Sequence, residues 1–168
     1  MHDYPYAPES EMTNMRVPVV TANWKMNKTA GEALHFLEQF LKGWEDETEV
    51  EVIIAPPFTL LLPVRHTIGN KKIGLAGQDV HWEGEGAFTG EISPGMLIDV
   101  GCTHVIIGHS ERRKYFGESD ETVNKKMSAV LSEGLVPIMC IGESLEQREQ
   151  GETLHIIESQ VKNGLQGL

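Results

Sequence analysis

Hydrophobic residues fall into five short runs along the chain, at Val17–Ala22, Val50–Ala55, Ile73–Ala76, His104–Ile107 and Val136–Ile141. The runs are rich in Val and Ile and mostly lack polar alternation, the pattern of strands buried on both faces. The segments between them carry apolar residues at helical spacing. Ala33, Leu37, Leu41 and Trp44 share one face in the first connection, Val123, Met127, Val130 and Leu131 in the fourth, and Ile157, Val161 and Leu165 after the fifth run. Boundary residues agree. Ser93-Pro94 sets an N-cap before a proline at the first helical position, Ser119 precedes the acids Asp120 and Glu121, and Gly134 stops a helix after Glu133.

Strands that alternate with helices imply repeated βαβ units and a parallel sheet. The pattern predicts an α/β fold of five βα units over residues 17–168. Right-handed crossovers leave two architectures open, a doubly wound sheet and a βα barrel. Residues 1–16 stand outside the pattern, are polar and contain Pro5 and Pro8, so they are expected to lack fixed structure. Met15, just before the first run, is a candidate for the true start of translation.

Composition narrows the function. A net charge of −11 argues against nucleic acid and repels anions in general, so any anion site must rest on a few local Lys, His or backbone N–H groups. The acidic run at Glu45–Glu49 reads as a solvated loop. No apolar stretch approaches the roughly 20 residues of a membrane span, and the N-terminus lacks the basic and apolar regions of a secretory signal. Cys102 and Cys140 lie in or beside apolar runs and are expected to be reduced, buried thiols, consistent with a cytoplasmic setting.

In α/β folds ligands bind at the carboxyl ends of the strands. Those ends carry Asn23-Trp24-Lys25-Met26-Asn27, Pro56-Pro57-Phe58, the long segment from Gln78 to Glu91, His109-Ser110-Glu111-Arg112 and Gly142-Glu143-Ser144. Asn23, Lys25 and His109 gather donors on one rim. Lys25 is a cation able to hold a phosphate or a developing oxyanion. His109, at a helix start, faces the positive end of the dipole, and a neutral imidazole there can still donate to a carbonyl. Such a rim suits a small phosphorylated carbonyl compound. Each residue also has a plainer role: His109 as a cap, Lys25 as a surface charge, Glu111 and Glu143 as partners of nearby Lys or Arg. Gly84, Gly86 and Gly90 do not match the dinucleotide fingerprint, and His104 and His109 lack the spacing of a zinc site.

Five motifs go further. Asn23-Trp24-Lys25-Met26-Asn27, Gly77-Gln78-Asp79, Gly86-Ala87-Phe88-Thr89-Gly90-Glu91, Ile107-Gly108-His109-Ser110-Glu111-Arg112-Arg113 and Cys140-Ile141-Gly142-Glu143 resemble the triosephosphate isomerase family in order and spacing. The resemblance implies an incomplete (β/α)8 TIM barrel over 17–168 and, without cofactor or metal, interconversion of dihydroxyacetone phosphate and glyceraldehyde 3-phosphate. It assigns substrate binding to Asn23 and Lys25, catalysis to Lys25 and His109, support of these to Glu111 and Ser110, and a homodimer contact to Thr89. A barrel of this kind runs to about 250 residues. The family's catalytic carboxylate follows strand six and has no counterpart in these 168 residues. The chain alone is therefore expected to be inactive and poorly stable. The alternatives are a non-catalytic phosphate-binding half-barrel and an interaction fragment that pairs through open sheet edges.

Overall fold

The computed structural model describes residues 16–46 and 49–168. The expectations for residues 1–15, the start at Met15 among them, and for Glu47 and Thr48 of the acidic run lie outside the described residues. Five parallel strands follow one another in space as in sequence: β1 (Val19–Asn23), β2 (Glu51–Ala55), β3 (Ile73–Gly77), β4 (His104–Ile107) and β5 (Val136–Met139). That order decides between the two open architectures. A doubly wound sheet reverses its strand order at a switch point, whereas here every strand pairs with its successor and the sheet curls as part of a barrel.

The strand period of two splits the side chains between the faces. Ile54, Leu75, Val105 and Ile107 join the main core beneath the helices, while Ile53, Ala55, Ala76 and Ile106 form a smaller cluster on the other face. The helices are α1 (Ala30–Lys42), α2 (Leu61–Ile68), α3 (Pro94–Asp99), α4 (Ser110–Phe116), α5 (Asp120–Ser132), α6 (Leu145–Glu149) and α7 (Thr153–Gly164). The expected caps are present: Ser93 accepts from the Met96 N–H, Ser119 from the Thr122 N–H, and Gly134 takes φ +77° after α5. Cys102 and Cys140 are free thiols, and burial pushes that of Cys102 up to about 12.

Three expectations need correction. Burial on both faces holds for β4 and most of β3. It fails for β1 and β5, where Val19, Val20 and Val136 are more than half exposed, because each of these strands has one neighbour. Leu131 is exposed because the buried stripe of α5 runs through Val123, Met127 and Val130 and leaves position 131 to the side. Val161 and Leu165 are exposed too, although α7 is tied to α5 by Asn124 Nδ2, which donates to the Gly164 and Gln166 carbonyls. Trp44 packs on the core as expected, but from beyond the Gly43 C-cap.

Exposed, flat, apolar edge strands are templates for association. The chain by itself is expected to self-associate through β1 and β5, and Val20→Lys is expected to reduce that association. Light scattering checks this; a monodisperse monomer with a sharp thermal transition overturns it.

Candidate active site

The rim at the carboxyl ends of the strands is built around a turn in an unusual conformation. β1 ends at Asn23, and Trp24 anchors the chain: its N–H donates to the Ala55 carbonyl at 3.0 Å and its indole is buried against Phe36. Lys25 then adopts φ +53°, a left-handed conformation that costs a non-glycine residue on the order of 1 kcal/mol. Three side chains hold the turn. Asn23 Oδ1 accepts from the Lys25 N–H at 2.9 Å, Gln78 Nε2 donates to the Lys25 carbonyl at 3.0 Å and the Ala55 carbonyl at 2.8 Å, and Asn27 Nδ2 donates to the Trp24 carbonyl at 2.7 Å. The backbone strain is thus offset by neighbours on β2 and on the segment after β3. The side chain it directs reaches across the sheet, and Lys25 Nζ lies 2.7 Å from Glu111 Oε1.

Glu111 sits in the first turn of α4, and what places it is the end of β4. Gly108, at φ +75°, makes the break: a Cβ there would stand 3.1 Å from Arg113 Nη2 and Val123 Cγ2 and 3.2 Å from the Cys140 carbonyl oxygen. His109 follows as the N-cap of α4, and its Nδ1 accepts from the Glu111 N–H at 3.2 Å. An Nδ1 that accepts carries no proton, so the neutral ring holds its proton on Nε2. Among the described residues Nε2 has no hydrogen-bond partner. One residue therefore joins the two candidates: Glu111 pairs with Lys25 through its carboxylate and fixes the His109 tautomer through its backbone. Hydrogen bonding from Lys25, then the charge of that ammonium, holds the Glu111 carboxyl below its ordinary range. Ser110 is exposed at the first position of α4 and bonds to neither Lys25 nor Glu111. Beside His109 a recess of about 450 Å³ runs to Cys140 and Glu143. Glu143 is tied to Arg148 at 2.7 Å and Thr153 at 3.2 Å, and a backbone N–H, then Arg148, holds its carboxyl down.

Beneath the rim lies an ionic quartet of three buried residues, Asp79, Glu118 and Lys126, with the half-buried Arg112. Lys126 Nζ bonds Asp79 at 2.6 Å and Glu118 at 3.2 Å; Arg112 Nε lies 2.8 Å from Asp79 and 2.9 Å from Glu118. Glu118 Oε1 also accepts from the Gly108 N–H at 3.2 Å, so the quartet reaches the peptide next to His109. Gln78, Asp79, Glu118 and Lys126 received no role from the sequence. Lys126 offered a signal: a lysine inside the stripe Val123, Met127, Val130 must be buried, and a buried ammonium demands a carboxylate partner. Thr89 is exposed in the long segment after β3. No cluster of three or more His, Cys, Asp or Glu among the described residues is placed to hold a metal ion.

The model of the triosephosphate isomerase family matches residues 18–168. The chain belongs to the triosephosphate isomerase family. Curated triosephosphate isomerases of high similarity include those of Geobacter metallireducens, 52% identical over 154 residues, and Citrifermentans bemidjiense, 54% identical over 154 residues. A third, from Carboxydothermus hydrogenoformans, is 49% identical over the same length. Each alignment covers 92% of this chain and 61% of the relative, so the chain spans about three fifths of the triosephosphate isomerases it matches. The curled, sequentially ordered sheet is part of the family's TIM barrel, and Lys25, Glu111 and His109 stand at the carboxyl ends of its strands, where such barrels place their chemistry.

Proposed function

We propose that these residues form the phosphate- and carbonyl-binding half of a triosephosphate isomerase site. The substrate is a small phosphorylated triose, dihydroxyacetone phosphate or glyceraldehyde 3-phosphate, interconverted through an enediolate without a cofactor. The observation that carries the reading is the single link Lys25–Glu111–His109, in which one residue orients both a cation and a hydrogen-bond donor toward the same rim. Lys25 holds the phosphate and offsets the negative charge that builds on the enediolate. Asn23 keeps Lys25 in place through the backbone. His109 donates its Nε2–H to the carbonyl oxygen as that oxygen gains charge, in the tautomer set by the Glu111 N–H at Nδ1. The base that moves the proton between the two carbons is the family's carboxylate after strand six, in the part of the relatives that this chain does not span. Homodimer formation through the Thr89 segment and a cytoplasmic setting belong to the same reading.

Titration with dihydroxyacetone phosphate, followed by NMR shifts around Lys25 and His109, tests it. Saturable binding is expected, with at least about a tenfold loss in Lys25→Ala, since a charge-assisted contact contributes about 1.5–3 kcal/mol. Shifts that are absent, or that persist unchanged in Lys25→Ala, overturn it. The half-barrel that binds without chemistry gives the same titration and differs by showing no turnover when the remaining strands are supplied.

A further inference from the structure

The direction of the His109 side chain depends on the peptides on either side of it, and one residue without a part in the isomerase reading holds both. Arg113 lies one turn further along α4. Its backbone N–H donates to the His109 carbonyl at 3.1 Å, and its side-chain Nε donates to the Gly108 carbonyl at 2.8 Å. The far end of the guanidinium is fixed as well, for Nη1 lies 2.6 Å from Asp120 Oδ1 in the first turn of α5. The pair is largely withdrawn from water, with side chains 17% and 23% exposed. The third nitrogen, Nη2, is buried and has no hydrogen-bond partner among the described residues. It stands 3.1 Å from where a Cβ on Gly108 would be, so glycine at 108 leaves room for the group.

We propose that Arg113 is a positioning residue for His109, one that ties the Gly108–His109 peptide to Asp120 and so sets where the imidazole Nε2–H points. This rests on the isomerase reading, in which that N–H meets the substrate carbonyl. Gly108, at φ +75°, is the joint between β4 and α4, and a glycine has more backbone freedom to lose than any other residue. Here both of its backbone groups are taken by charged side chains: the N–H donates to Glu118 Oε1 at 3.2 Å, and the carbonyl accepts from Arg113. With the joint held at both groups, His109 starts α4 in one orientation. A plain ion pair between α4 and α5 would need neither the bond to Gly108 nor a buried, unpaired Nη2, since an unmet buried donor costs desolvation. Arginine suits the task because its planar fork meets a carbonyl with Nε and a carboxylate with Nη1 at once, whereas a lysine offers a single ammonium.

The test is steady-state kinetics in a chimera that completes the barrel with the remaining segment of the Geobacter metallireducens relative. Arg113→Lys keeps a charge beside Asp120 and gives up the bond to the Gly108 carbonyl. It is expected to lower kcat about tenfold with KM changed less than about twofold, because a misdirected donor is felt in the transition state more than in binding. The deciding readout is dependence on His109. In a His109→Ala background the same substitution is expected to change kcat less than about twofold, since the group it positions is gone. Asp120→Asn keeps the Gly108 bond and weakens the anchor, so it is expected to show the same dependence on His109 with a smaller loss. If Arg113→Lys fails to fold, Asp120→Asn decides alone. An unchanged kcat, or a loss of equal size with and without His109, overturns the positioning role and leaves the isomerase reading intact. Full activity in His109→Ala overturns that reading, and the positioning role with it.

Discussion

Lys126→Ala is expected to destabilise the fold by about 3–5 kcal/mol, the cost of removing one partner from a buried ion pair. A domain holds only about 5–15 kcal/mol in total, so the loss is a large part of the whole. The reason lies in what remains. Lys126 is 4% exposed, and without its ammonium the buried Asp79 and Glu118 are left with the single, half-buried guanidinium of Arg112. Burial already pushes the Asp79 carboxyl up, and Lys126 is the main group pulling it down. In the variant that carboxyl rises further. A carboxyl with its folded value above the unfolded one takes its proton earlier in the folded state, so acid favours the fold through this group. The deficit of Lys126→Ala is therefore expected to shrink between about pH 7 and pH 5. Adding Asp79→Asn to the variant is expected to recover part of the loss at neutral pH, because it removes the orphaned charge. Urea unfolding of the two variants, carried in a chain completed by the remaining strands of the Geobacter metallireducens relative, measures both effects; a loss below about 1 kcal/mol, the range of exposed pairs, contradicts the account.

The quartet also shows where sequence reading stops. The five runs became five strands within a few residues, because Val- and Ile-rich segments bounded by glycine and polar residues have little other use. Sequential strand order was not legible: the hydrophobic pattern is the same for a barrel and a doubly wound sheet, and only the pairing of each strand with its successor separates them. Exposure of β1 and β5 was also hidden, since an edge strand and a central strand of this sheet read alike. Of the rim, Asn23, Lys25 and His109 stood out as polar residues directly after strands. Gln78 did not, because its part is played through backbone carbonyls 23 and 53 positions away in sequence, and no periodicity marks such a partner. The left-handed turn at Lys25 was equally silent, as lysine carries no preference for it.

His109 gives the second large effect. A chimera that joins residues 17–168 to the remaining segment of the Geobacter metallireducens relative supplies the strands this chain does not span. In that chimera His109→Ala is expected to lower kcat about 10²–10³-fold, the range for loss of one preorganised donor to a developing oxyanion, with KM changed little. Lys25→Ala is expected to act differently and raise KM as well, because a cation that holds the phosphate is felt in the ground state too. The contrast follows from geometry. Lys25 reaches the rim as a charge already paired with Glu111, whereas His109 presents a single N–H whose direction is set by the Glu111 backbone at the other ring nitrogen. The tautomer can be read directly: nitrogen chemical shifts of neutral His109 should place the proton on Nε2. A proton found on Nδ1 would remove the hydrogen bond at 3.2 Å and turn a lone pair toward the substrate, and the carbonyl-polarising role would then have no donor. Full activity in His109→Ala would lead to the same conclusion from the kinetic side, leaving Lys25 as the residue of this half of the site that meets the developing charge.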